Sequence, residues 1–254
     1  MEYFDAHAHY DDEQFDEDRD ELIKAMHDFG VTKIVCNGYS LKGSFDAYEL
    51  TKKYDFIYST AGISPNDLDE NWEENINKIE ELLDKPKVLA VGEIGLDYHY
   101  DTDKEIQKQA FIKQIELANK HNLPITIHTR DAVMDTIQIL RDHPVNQKGV
   151  FHCCPFNREL VKEALKLGFY ISFSGVCTFK NSNAEEIAKM VPDDKFTIET
   201  DSPYLSPVPN RGKRNDSRNL QYIVDKLSEF KGLSKEEIAR LSYNNTINLY
   251  KIDI

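Results

Sequence analysis

The sequence predicts an α/β protein folded as one TIM (β/α)8 barrel over residues 1–254. One reason is repetition. Eight short runs recur at intervals of roughly thirty residues with helical patterns between them, close to the length such a barrel needs. The other is position, because side chains that bind metals stand at the ends of runs one, four, five, six and eight. In an open doubly wound sheet they would spread along an edge. In a closed barrel, strand eight returns beside strand one and they converge at the mouth formed by the C-terminal strand ends.

In chain order the predicted strands are residues 3–7, 33–37, 57–61, 88–93, 125–128, 150–152, 170–173 and 196–199. Most are rich in Val, Ile, Phe and Tyr and uncharged in the middle, as strands covered on both faces should be. After strand one, Leu22, Ile23, Met26 and Phe29 fall on one helical face, and Gly30 suits the helix stop. Residues 105–121 set Ile106, Phe111, Ile115 and Leu117 among charges and end before Asn122 and Pro124. Residues 219–230 and 234–250 read as terminal helices completing the outer ring.

At 40% hydrophobic and 30% charged, with 11 Gly and 9 Pro, the chain has a globular composition. No Gly-, Ser- or Pro-rich linker interrupts the alternation, so one domain is expected. MEYFDAHAHYDD has no basic segment leading into an apolar stretch, and no apolar run reaches the about 18 residues of a spanning helix. A cytoplasmic protein without membrane insertion is expected. The four cysteines, Cys36, Cys153, Cys154 and Cys177, match neither a disulfide framework nor paired zinc spacing. Cys153 and Cys154 follow His152, but period-2 alternation turns at least one of them away, and neither is counted as a ligand.

Lys and Arg total 31 against 45 Asp and Glu, a formal charge of −14. Such a surface is unsuited to coating duplex DNA nonspecifically, which depends on neutralising many phosphates. It still allows a nuclease whose local cationic rim captures a strand end.

The candidate metal ligands are His7 and His9 in YFDAHAH, Glu93 in VLAVGEIG, His128 in PITIH, His152 in GVFHC and Asp201 in FTIETD. A single strand-end histidine is commonly a packed core residue; six ligand-type residues at one phase of repeated strands describe a site for divalent metal. Strand order divides them. Strand eight neighbours strand one, which groups Asp201 with His7 and His9, whose i, i+2 spacing points both inward. His128 and His152 form a second group on strands five and six. Glu93, at the end of strand four, has two oxygens with which to bridge the groups. Two ions about 3.5–4 Å apart stabilise both the attacking and the leaving oxygens of a phosphodiester. Asp201 is the first candidate for general base and Glu93 the second.

These residues resemble the TatD family of metal-dependent deoxyribonucleases. The resemblance rests on HAH at 7–9, GEIGLDYH at 92–99, IHTRDA at 127–132, FHC at 151–153, FSGVCTFKN at 173–181, ETDSPYL at 199–205 and RGKRN at 211–215, and it covers essentially the whole chain. HxH, strand-end histidines and a final aspartate are shared with the wider amidohydrolase superfamily. The resemblance implies a barrel holding two divalent ions that cuts DNA, often from the 3′ end, with Mg2+ a common activator and Zn2+, Mn2+ or Ni2+ as other occupants. Its ligands fall on His7, His9, Glu93, His128, His152 and Asp201, the set already reached from the residues.

The chain departs from the family pattern in three places. Gly-x-His-Pro-His after strand three is here Gly62, Ile63, Ser64, Pro65 and Asn66, so two customary histidines are replaced. His-Cys-Phe-Ser-Gly becomes His152, Cys153, Cys154, Pro155 and Phe156, and Asn-Glu-Pro becomes Asn215, Asp216 and Ser217. None of these changes removes a candidate ligand.

Arg211, Lys213, Arg214 and Arg218 cluster downstream of Asp201, with Arg130 and Lys180 on other mouth loops. Guanidinium groups match phosphate through paired hydrogen bonds, which makes Arg130, Lys180, Arg211, Lys213 and Arg214 the expected substrate contacts. Tyr98, His99, Tyr100, Phe179 and Tyr204 are residues that either pack or stack on the bases of an unpaired strand. The expected activity is hydrolysis of DNA, 3′ to 5′ on single-stranded or frayed ends, with no obligate protein partner. An amidohydrolase cleaving a C–N or ester bond in a small molecule is the alternative. A noncatalytic barrel is disfavoured by the intact ligand set.

Overall fold

Runs of β-branched and aromatic residues become strands here because both of their faces are covered. A computed structural model describes residues 1–180 and 182–253; Asn181, the last residue of the 173–181 motif, lies outside the described residues. The strands are β1 (Tyr3–Ala8), β2 (Val31–Asn37), β3 (Ile57–Ala61), β4 (Val88–Asp97), β5 (Ile125–Arg130), β6 (Gly149–Phe151), β7 (Tyr170–Phe173) and β8 (Phe196–Ile198). They form one parallel sheet in sequence order. The helices are α1 (Arg19–Phe29), α2 (Leu41–Lys53), α3 (Trp72–Leu83), α4 (Lys104–Lys120), α5 (Val133–Asp142), α6 (Arg158–Lys166), α7 (Ala184–Met190), α8 (Leu220–Lys231) and α9 (Lys235–Tyr250). This is the predicted barrel, and all eight predicted strands are present.

Closure occurs just past β8. The Asp201 amide donates to the His7 carbonyl at 2.9 Å, the His9 amide donates to the Ser202 carbonyl at 2.7 Å, and Ala8 bridges Ser202 in parallel. Beneath this seam lies Asp5, a fully buried acid of β1. Its carboxylate accepts from the Thr200 amide at 2.9 Å and from the hydroxyls of Thr200 and Ser217, both at 2.6 Å. Burial pushes the Asp5 carboxyl up to about 7, against the hydrogen bonds from Ser217, Thr200 and His7 that favour its charged form. Ser217 occupies the customary proline position, and its hydroxyl gives Asp5 a donor that proline lacks.

The opposite end of the barrel is plugged. Phe4, Val35, Ala90 and Val150 pack there with Ile247, Leu249 and Tyr250 from the end of α9. Outside the sheet, residues such as Ile23, Met26, Ile34, Ile79 and Phe111 seal the helices against the strands. Burial of this kind is the main favourable term in folding.

Two details differ from expectation. Phe29 is 42% exposed and stacks on Tyr3 rather than joining Leu22, Ile23 and Met26 in the core. It is the last residue of α1, where Gly30 turns the chain with φ +113°. β4 does not stop at Glu93 but continues to Asp97. Gly95 permits this: at φ +142°, a Cβ there would stand 2.0 Å from the His128 carbonyl oxygen, so only glycine lets β4 and β5 run so close. Among the described residues no helix is long and apolar enough to cross a membrane.

Asp5→Ala removes the acceptor for four buried donors, the amides of His7 and Thr200 and the hydroxyls of Thr200 and Ser217, and should destabilise the protein by about 2–4 kcal/mol, measured by urea unfolding. Asp5→Asn keeps the shape and one acceptor oxygen and should cost less; equal losses would mean that neither the retained shape nor a single acceptor helps and that both carboxylate oxygens are required.

Candidate metal centre

Alternation along β1 carries both histidines to the barrel mouth, where His7 Nε2 and His9 Nε2 stand 3.1 Å apart. The turn after β8 brings Asp201 to them, with Oδ1 at 3.5 Å from His7 and 3.3 Å from His9. On the other side, His128 Nδ1 and His152 Nε2 are 3.2 Å apart. Glu93 lies between the pairs: Oε2 is 3.3 Å from His7 and 3.7 Å from His9, and Oε1 is 3.0 Å from His128 and 3.2 Å from His152. The structure therefore brings all six predicted ligand residues together.

The donor set fits divalent cations. Neutral imidazoles present lone pairs to one another at such distances only when a proton or cation lies between them. Two such pairs face each other here across Glu93, with Asp201 beside the first. His7, His9 and Asp201 form one grouping with metal-binding spacing, and His7, Glu93 and His152 form another. His7 belongs to both because its ring stacks on that of His152 at 4.0 Å between centroids.

Without an ion, protons hold the cluster together. Burial would raise the Glu93 carboxyl, but His152, His128 and His7 overcome it and hold the group well below the usual carboxylate range. Burial would lower His9, yet Asp201 and Glu93 raise it to about 9. His152 is raised well above its ordinary value, against burial, by Glu93 and Glu199. Burial and the neighbouring His152 charge lower His7. Asp201 is lowered, against burial, by His9 and the other histidines.

The groups behind the ligands are what the sequence reasoning missed. Asp97 Oδ2 receives His128 Nε2 at 3.0 Å, which leaves Nδ1 to face Glu93. Glu199, 1% exposed, places Oε1 3.5 Å from His152 Nδ1 and accepts from the Cys153 amide at 2.5 Å. The His152 contact is an ion-pair approach without hydrogen-bond alignment. His9 is fixed differently, by Nδ1 against the Asn37 carbonyl at 2.9 Å. Such partners fix ring orientation and raise ligand basicity. The available signal was the acidic residue near each histidine-bearing strand, in GEIGLD and IETD.

The replaced family histidines are also accounted for. Asn66 donates to Asp97 Oδ2 at 3.0 Å, and Ser64 donates to Asp67 at 2.7 Å. Burial holds Asp97 up, but hydrogen bonds from His128, Asn66 and the His99 amide overcome it and bring the group down to about 2.

A cleft of about 850 Å3 opens over the cluster. Arg130 lines it, whereas Lys180, Arg211, Lys213 and Arg214 are not among its lining residues. Arg214 pairs with Asp18 through two hydrogen bonds at 2.9 and 2.5 Å, and Arg218 grips Asp216 at 2.8 and 2.9 Å. Arg211 lies over the Phe179 ring at 3.7 Å. The expected cationic loop is thus largely engaged by its own neighbours. Of the expected stacking residues, Tyr98 donates to Asp135 and Tyr204 donates to Asp12, both at 2.6 Å. Tyr100 is 53% exposed and lines the cleft. Cys153 also lines it while Cys154 is buried, in accord with the expected alternation.

Comparison with known proteins agrees with this geometry. The profile described as TatD related DNase matches residues 4–251. A Bacillus subtilis (strain 168) protein, uncharacterized metal-dependent hydrolase YabD, is 41% identical over 98% of this chain and 99% of its own length. The Escherichia coli (strain K12) protein YcfH, also an uncharacterized metal-dependent hydrolase, is 35% identical over 98% of this chain and 96% of its own. The crystal structure of YJJV, a TatD homologue from Escherichia coli K12, superposes with a TM-score of 0.94 at 25% identity, covering 99% of this chain and 98% of that one.

Ions and protons compete for these ligands, so metal binding should release a proton below about pH 9 and tighten as pH rises toward that value, through which His9 loses its proton in the metal-free protein. That proton stabilises the metal-free fold fully below pH 6.5, and its contribution fades toward pH 9. The melting temperature of metal-free protein should therefore fall over the interval in which calorimetric ion affinity rises. Asp97→Asn and Glu199→Gln should each weaken ion affinity by about 10- to 100-fold.

Proposed function

The chain belongs to the TatD family and is a metal-dependent hydrolase, and from that premise we propose that it is a deoxyribonuclease hydrolysing DNA phosphodiester bonds, 3′ to 5′ from single-stranded or frayed ends. The observation that carries this reading is Glu93, a buried carboxylate with one oxygen toward His7 and His9 and the other toward His128 and His152. That arrangement suits a pair of divalent ions, Mg2+ for activity, with Zn2+, Mn2+ or Ni2+ as other occupants. When bound, such ions activate water and offset charge on both the attacking and the leaving oxygens of a phosphodiester.

The protein's own groups have distinct tasks. His7, His9 and Asp201 would hold one ion and His128 and His152 the other, with Glu93 able to serve both. Asp201 lines the cleft with its side chain 13% exposed, against 9% for Glu93, so Asp201 takes the proton of the attacking water and Glu93 is the secondary candidate. The histidines around it, His9 first, keep the Asp201 carboxyl ionised and so free to accept a proton. The four cysteines are free, which suits a reduced cytoplasmic setting, and the reading needs neither a membrane nor an obligate protein partner.

One observation favours a second reading, hydrolysis of a C–N or ester bond in a small molecule: the basic loop does not line the cleft, and two of its arginines are ion-paired. End-labelled single-stranded DNA with Mg2+, run beside amide and ester substrates, separates the two. Shortening of the labelled strand is expected; turnover of the amide or ester panel alone would reject the nuclease reading. Glu93→Ala should lose metal occupancy and activity together, and full activity in that variant would remove Glu93 from its bridging role.

A further inference from the structure

Arg130 is the one Lys or Arg among the described residues lining the metal cleft, whose other charged walls include Asp67, Asp97 and Asp201. It is exposed and forms no ion pair among the described residues. The nearest acid in sequence, Asp131, approaches His99 Nδ1 instead, at 3.5 Å. The position of Arg130 follows from β5: His128 and Arg130 are two residues apart, so the strand's alternation sends both to the mouth.

Tyr100 completes the arrangement. The Arg130 guanidinium lies over its ring at 5.6 Å from the centroid, and Tyr100 lines the same cleft while 53% exposed. The segment carrying it is anchored, because the Tyr98 amide donates to the Arg130 carbonyl at 2.9 Å and the His99 amide donates to Asp97 at 2.9 Å. A cation–π contact orients the guanidinium while its edge N–H groups remain available to an anion. The tyrosine offers an aromatic face beside it.

We propose that Arg130 and Tyr100 form a nucleotide-recognition subsite at one rim of the cleft. Arg130 binds the phosphate adjacent to the scissile one, and Tyr100 stacks on the base of the same nucleotide. This rests on the nuclease reading and deepens it: the substrate is selected as a phosphate with an attached base, not as a bare phosphodiester. It also explains how a chain of −14 formal charge accepts a polyanion, since the cation needed stands inside the cleft rather than on the general surface.

The test compares kcat/KM for a single-stranded oligonucleotide with kcat/KM for methyl p-nitrophenyl phosphate, which has neither a second phosphate nor a base. In Arg130→Gln and Tyr100→Leu the ratio of the two should fall by about tenfold, within the range found when a base-stacking side chain is removed. An oligonucleotide made abasic at each position in turn identifies the stacked nucleotide. With that substrate, the penalty of Tyr100→Leu should vanish while that of Arg130→Gln persists. An unchanged ratio in both variants, with the unmutated protein cutting DNA, overturns the subsite alone. Failure of the unmutated protein to cut DNA rejects the nuclease reading and the subsite with it.

Discussion

A buried carboxylate surrounded by four imidazoles is the interaction on which the rest of this molecule depends. Glu93 is 7% exposed, and an isolated charge so placed would be strongly disfavoured. It is stable there because His7, His9, His128 and His152 approach its two oxygens from opposite sides. Those histidines come from three strands, so the charge balance at Glu93 and the closure of the barrel are one condition. If the seam between β1 and the segment after β8 opened, Asp201 would leave His7 and His9, and one half of the cluster would lose its second carboxylate.

Support continues outward from the ligands. Asp97 and Glu199 stand behind His128 and His152, whereas His9 is backed only by a backbone carbonyl. The two halves of the centre are therefore built differently, with carboxylates raising the basicity of one pair of rings and Asp201 directly serving the other. Asn66 enters the same scheme. In place of a customary histidine, its amide holds Asp97 by a bond that carries no proton equilibrium of its own. Asp5, one layer below, ties the closing seam to the segment bearing Ser217.

Charge is similarly organised by neighbours rather than by totals. The cationic stretch after Asp201 looks in sequence like a phosphate grip, but Arg214 and Arg218 meet Asp18 and Asp216, partners that composition does not reveal. Arg130, one cation among many in the sequence, becomes prominent because its surroundings in the cleft are acidic and it forms no ion pair among the described residues. A charge available to a ligand is one that the fold has not already neutralised.

The eight strands and the six ligand candidates were legible in the sequence, because strand periodicity and the chemistry of His, Glu and Asp are local properties written at fixed positions. The extension of β4 to Asp97 was not, since it depends on Gly95 clearing the His128 carbonyl of a strand thirty residues away in the chain. Nor was the exposure of Phe29, whose helical phase is right but whose place at the helix end sets it over Tyr3. By itself the sequence determined the barrel and named six candidate ligands, grouped into two arcs on either side of Glu93. Only the tertiary structure decided which acids stand behind which histidines and which cations stay free, because hydrogen bonds and ion pairs are chosen by proximity across loops whose paths no periodicity records.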